Sequence, residues 1–143
     1  MGWVHLTTSA QNSACDAVLG LVDGGSSAGY ILIYAADGDG IPASADTAVT
    51  NQTELGRLDM SDPAYAPASA GVAGANTISP ETSATGTGTA AWARIHDSNG
   101  IAVFDVDVGV TASGATIELD SASISVGGTI EVTALDITMP SGV

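Results

Sequence analysis

Thr89-Ala-Ala-Trp-Ala-Arg-Ile-His-Asp-Ser-Asn-Gly-Ile-Ala-Val-Phe-Asp-Val-Asp-Val108 decides the fold. Two runs of β-formers flank Asp97-Ser98-Asn99-Gly100, and Asn-Gly between alternating segments marks a hairpin, because both residues tolerate φ > 0. On the first arm Ala91, Ala93 and Ile95 share one face and Trp92, Arg94 and His96 the other. On the second, Phe104, Val106 and Val108 oppose Val103, Asp105 and Asp107. The pattern predicts an antiparallel pair with a dry side and a wetter side. Two strands alone are marginal in water, so the remaining chain must add strands that cover the apolar face.

Outward from the hairpin, the spacing predicts a helix over residues 9–23, capped by Ser9, with Ala14, Val18, Leu21 and Val22 as its apolar stripe and Gly24-Gly25 as its stop. Tyr30-Ile31-Leu32-Ile33-Tyr34 reads as a strand buried on both sides. Residues 37–52 show no period and read as a long loop; residues 55–60 alternate as a strand that stops at Asp62-Pro63. Residues 63–88 hold Pro63, Pro67 and Pro80 among small residues and read as an extended loop or arm with a short strand near 75–79. Further strands are predicted over 116–120, 123–126 and 129–139. In the last of these the apolar set slips phase between Ile130, Val132, Ala134 and Leu135, Ile137, Met139, which a bulge or bend near Ala134-Leu135, or a strand that changes sheets at a sandwich corner, would absorb. The whole is expected to be one domain, residues 1–143, mainly β: an antiparallel β-sandwich, Ig-like or jelly-roll-like, with one N-terminal helix.

Composition narrows the function. Sixteen acidic residues face two basic ones, Arg57 and Arg94, for a net charge of −14 and no lysine. Neutralising phosphates needs clustered Lys or Arg, so no nucleic-acid partner is expected, and an anionic membrane surface is disfavoured for the same reason. The opening Met1-Gly2-Trp3-Val4-His5 lacks a basic n-region and an apolar h-region, so no secretory signal is expected. The single cysteine, Cys15, sits in the helical pattern as a buried thiol.

The candidate chemistry is thin. Gly25-Ser26-Ser27-Ala28-Gly29 matches G-x-S-x-G, but that motif works at a strand-to-helix elbow and here lies between a helix and a strand. His5 and His96 are the available bases, with nothing to pair them. Asp37-Gly38-Asp39-Gly40 opens like a calcium loop, but its fifth and twelfth positions hold Ile41 and Ala48. No cofactor and no metal centre are therefore expected; a weak calcium contact through Asp37 and Asp39, or Asp105 and Asp107, stands as the alternative to a solvated acidic turn. No catalytic residues are assigned and the chain reads as no enzyme. Trp92 divides between an interface anchor and a core filler.

The sequence resembles small virion proteins encoded among the head and tail genes of tailed bacteriophages. The likeness runs through Ile31-Leu32-Ile33-Tyr34, Pro42-Ala43-Ser44-Ala45-Asp46-Thr47-Ala48, Asp62-Pro63-Ala64-Tyr65, Ala91-Trp92-Ala93-Arg94-Ile95-x-Asp97-Ser98-x-Gly100, Val103-Phe104-Asp105-x-Asp107-Val108-Gly109 and Ile137-Thr138-Met139-Pro140. Lysine is absent and the Trp3-Val4-His5 start departs from the family's pattern. The resemblance implies a capsid decoration (cement) protein, a symmetric homo-oligomer on the outside of the shell with the major capsid protein as partner, assembled in the host cytoplasm. A tail or head–tail junction subunit is the alternative, with residues 63–88 as the pairing arm. A carbohydrate-binding β-sandwich is a second alternative and needs exposed aromatics. Trp3, His5, Pro63, Tyr65, Pro67 and Trp92 are the expected contact residues.

Overall fold

A computed structural model describes residues 2–142. The protein is mainly β with one helix: α1 (Thr8–Leu19), β1 (Tyr30–Ala35), β2 (Glu54–Asp59), β3 (Val72–Gly74), β4 (Gly88–His96), β5 (Ala102–Val110), β6 (Ile117–Leu119), β7 (Ser123–Ile124) and β8 (Val132–Thr138). The strands form one open mixed sheet in the order β2-β1-β4-β5-β6-β8-β3, with β7 on the start of β4. The pairings are antiparallel except β5 with β6, which run parallel. This differs from the all-antiparallel expectation: residues 111–116 double back, held by the Glu118 and Asp107 carboxylates, so that Ile117 starts again beside Val108 in the direction of β5.

The expected central hairpin forms, with Trp92 facing Asp107, Ala93 facing Val106, Arg94 facing Asp105 and Ile95 facing Phe104. Its turn is longer than a two-residue Asn-Gly loop. Asp97 N donates to Ile101 O, the Asp97 carboxylate accepts from the Asn99 and Ile101 amides, and Gly100 alone takes φ +83°. That is a three-residue connection with glycine in the left-handed position, and it displaces the ladder so that His96 lies opposite Ala102. The bulge foreseen in the last strand is present one residue early. Glu118 pairs with Ala134 and Leu119 with Val132, which skips Thr133 and turns Val132 onto the side of Leu135.

The helix is shifted. Thr7, not Ser9, caps it by accepting from the Ala10 amide at 3.2 Å, and it ends at Leu19. Its buried stripe is Cys15 and Leu19, continued by Val22 in the following turn, while Val18 and Leu21 are exposed. Both stripes satisfy an i, i+4 spacing; the cap two residues earlier and the contact of Cys15 Sγ with Ile137 O select the inner one. The core is built from Ile31, Ile33, Leu55, Leu58, Ile95, Ile117, Leu119 and Ile130, with Tyr65 in the same cluster and Trp92 also fully buried.

Residues 63–88 do not project. They lie along the outer edges of the sheet: Ser79 N donates to Asp59 O and Thr85 N to Leu55 O on the β2 side, while Ala75 N donates to Leu135 O, Glu81 N to Ile130 O and Ala84 N to Gly128 O on the β8 side. This segment thus serves as a seam between the β2 side and the β8 side of the sheet, and its own Ala64, Tyr65, Ala73 and Ala84 are buried. Its amides find partners on both edges, as buried backbone requires.

Candidate functional site

The face of β4 that carries Trp92, Arg94 and His96 is not the wet side the alternation predicts: these residues are 1%, 4% and 9% exposed. Arg94 is the reason. Its guanidinium makes a two-pronged contact with Asp105, at 2.7 and 2.8 Å, and donates to Thr47 O at 2.7 Å and Ser44 O at 3.2 Å. A cation that would otherwise remain in water thereby makes four hydrogen bonds, two of them to the loop between β1 and β2, which it ties over the sheet. Trp92 stacks on Tyr34 at 4.5 Å and donates from Nε1 to Ala35 O. Burial and nearby Glu54 push the Tyr34 hydroxyl up to about 12. His96 stacks on Tyr30 at 4.9 Å, and Arg57 lies 3.8 Å above the same ring. Burial, followed by the Arg94 charge, lowers the His96 pKa, and its Nδ1 has no hydrogen-bond partner.

The aspartates considered for calcium are engaged by the chain itself. Asp37 accepts from the Thr53 amide and hydroxyl, which hold its carboxyl below the usual range, and Asp39 accepts from the Thr50 hydroxyl at 2.7 Å. Asp105 is paired with Arg94, and Asp107 accepts from the Thr116 amide, which likewise lowers its pKa. Among the described residues no group of three or more His, Cys, Asp or Glu side chains is placed to share a metal. Gly25-Ser26-Ser27-Ala28-Gly29 forms the turn into β1, where the Ser27 amide donates to Ser98 Oγ.

Of the six contact residues expected from sequence, Trp92 is internal. Trp3 is 72% exposed and its ring lies 4.6 Å from that of His5, at a bridge between His5 and Gly142 near the other end of the chain. The remaining three converge. Pro63, Tyr65 and Pro67 line one cavity of about 280 Å³ with Asp16, Leu19 and Asp23 from α1 and the turn after it. The side chains of Asn12, Asp16 and Asp23 build this site by accepting from the amides of Gly71 at 2.8 Å, Ala68 at 2.7 Å and Ala64 at 2.9 Å. Val18 and Leu21 stand exposed on the same helical segment. Tyr65 forms a buried wall; its hydroxyl has no hydrogen-bond partner, and burial together with Asp23 raises its pKa. Sequence reasoning missed the acidic partners, although Asn12 and Asp16 stand one helical turn apart and so share a face. The result is a shallow, largely apolar surface with an acidic rim.

Comparison of the chain with protein-family models, curated proteins and solved structures finds no match.

Proposed function

We propose that the chain is a non-enzymatic structural protein of a tailed-phage virion, carried on the capsid exterior, where it binds the major capsid protein as a symmetric homo-oligomer and stabilises the shell. The sequence blocks quoted above motivate the phage setting. The observation that supports the docking role is the convergence of Pro63, Tyr65 and Pro67 with Leu19 on one cavity rimmed by Asp16 and Asp23. Apolar anchors within a polar rim are what a protein interface needs, and symmetric closure multiplies weak contacts. A surface of net charge −14 suits a position away from the packaged genome.

The two alternatives have less to stand on. A tail-ring subunit needed a projecting arm, and residues 63–88 instead bridge the two sheet edges. A glycan-binding module needs exposed aromatics, and Trp92, Tyr34 and Tyr65 are buried while Trp3, on the His5 ring, stands in the open. The docking role is tested by Ala66→Glu and Pro67→Glu, both at exposed residues that line the cavity. The expected result is loss of the chain from purified particles while the free protein keeps its fold. Unchanged occupancy of the particles by both variants would refute the assignment of this surface.

A further inference from the structure

The two halves of β5 have different neighbours on the side away from β4. Residues 108–110 pair with β6, but among the described residues no strand lies beside 102–107, because β6 begins at Ile117 and the chain before it turns away through 111–116. In β8 the situation is mirrored: residues 132–135 pair with β6, whereas 136–138 pair with β3 on the opposite side. Between these two lengths lies a cleft of about 450 Å³, lined by Phe104, Val106, Ala115, Thr116, Asp136 and Ile137. Its closed end is firm. The Glu118 carboxylate accepts from the Ala112 and Gly114 amides, each at 2.9 Å, and the Thr116 amide donates to Asp107 at 3.0 Å.

The registers assign the two faces of this cleft. Val108 faces Ile117 and Ile117 faces Leu135, so Phe104, Val106, Leu135 and Ile137 belong to the core side. Asp107 and Asp136 belong to the other side, one on each bank. A strand laid between the banks would present alternate residues to an apolar floor and to two carboxylates. We propose that this cleft receives an extended segment of a basic partner protein, added as a short strand between β5 and β8, with apolar residues on Phe104, Val106 and Ile137 and Lys or Arg beside Asp107 and Asp136.

Charge selects the occupant. This chain has two cations: Arg94 is bound to Asp105, and Arg57 sits on β2 at the far end of the strand order, paired with Asp59. A second copy would bring acid to acid. Three residues of β8 at about 3.3 Å each give a paired length of about 10 Å, so the strand is short and the charge contacts set its preference.

The test is hydrogen exchange of the full chain with three blocked heptapeptides: alternating Lys and Val, alternating Glu and Val, and the Lys/Val peptide with a central proline. The Lys/Val peptide is expected to slow exchange over 102–107 and 136–138 by about fivefold or more, with the effect fading between about 0.05 and 0.5 M salt. Ala115→Trp, which fills the cleft, and Asp136→Lys are each expected to abolish that protection while exchange in β1 and β4 stays as in the parent chain. The inference is overturned if no peptide protects these residues, if the Glu/Val or proline peptide protects them equally, or if protection grows with protein concentration alone, which would make a second copy the occupant.

Discussion

Replacing Arg94 by leucine removes the group that holds the loop between β1 and β2 against the sheet, and the structure fixes the size of the effect. The Arg94 and Asp105 side chains are 5% and 16% exposed, against 51% and 65% for the surface pair Arg57 and Asp59. Arg94→Leu leaves the Asp105 carboxylate without its two donors and the carbonyls of Thr47 and Ser44 without theirs. Breaking a buried pair from one side costs about 3–5 kcal/mol, whereas an exposed pair contributes about 0–1 kcal/mol. For a chain of this size that corresponds to a fall of roughly 10–15 °C in the unfolding midpoint. The assay is urea and thermal unfolding of four proteins: the parent, Arg94→Leu, Arg57→Leu and the double variant Arg94→Leu/Asp105→Leu. The double variant should recover much of the loss, because it removes the stranded charge along with its partner. A loss below about 1 kcal/mol for Arg94→Leu, equal to that of Arg57→Leu, would refute the reasoning.

The fold makes further measurable predictions. His96 is held neutral, so the unfolded chain binds its proton more readily; its contribution is complete above the ordinary value of about 6.5 and is lost as pH falls below it. Unfolding midpoints should therefore drop between about pH 7.5 and 5.5 in the parent and stay level over that window in His96→Phe, which keeps a ring on Tyr30. The carboxyl groups of Asp37, Asp107 and Glu118 are lowered by hydrogen bonds, so their contribution lies above the ordinary carboxylate range and is lost only at more acid pH. Thr7→Ala should cost about 1 kcal/mol by denaturant unfolding and Ser9→Ala only a few tenths, since the former caps α1. Amides of Ser79, Glu81 and Thr85 should exchange slowly and limited proteolysis should spare residues 75–86; rapid exchange there would return the segment to a free arm.

What was legible in the sequence was whatever side-chain periodicity records. The hairpin with its two faces and the irregularity in the last strand follow from which residues alternate, and β1 from an unbroken apolar run. The rest depends on partners far away in the chain. Arg94 looks like a surface residue until the carbonyls of Ser44 and Thr47, some fifty positions earlier, close over it. The seam formed by residues 75–86 is made by backbone groups, which leave no mark on residue type. The parallel pairing of β5 with β6 follows from a turn clamped by Glu118, and nothing in an alternating pattern encodes direction. Among the site residues, Pro63, Tyr65 and Pro67 stood out as rigid or aromatic positions in an irregular stretch. Their helical partners Asn12, Asp16 and Asp23 read as ordinary solvated polar residues, because their work is to receive amides from residues more than forty positions on.

The central claim is a place on a viral shell, and imaging tests it most directly. Gold-labelled antibody against this chain, applied to intact particles purified from the cells that make it, should decorate the head at regular positions and leave the tail bare. Label confined to the tail, or a chain absent from purified particles and recovered entirely in the free fraction, would contradict the account.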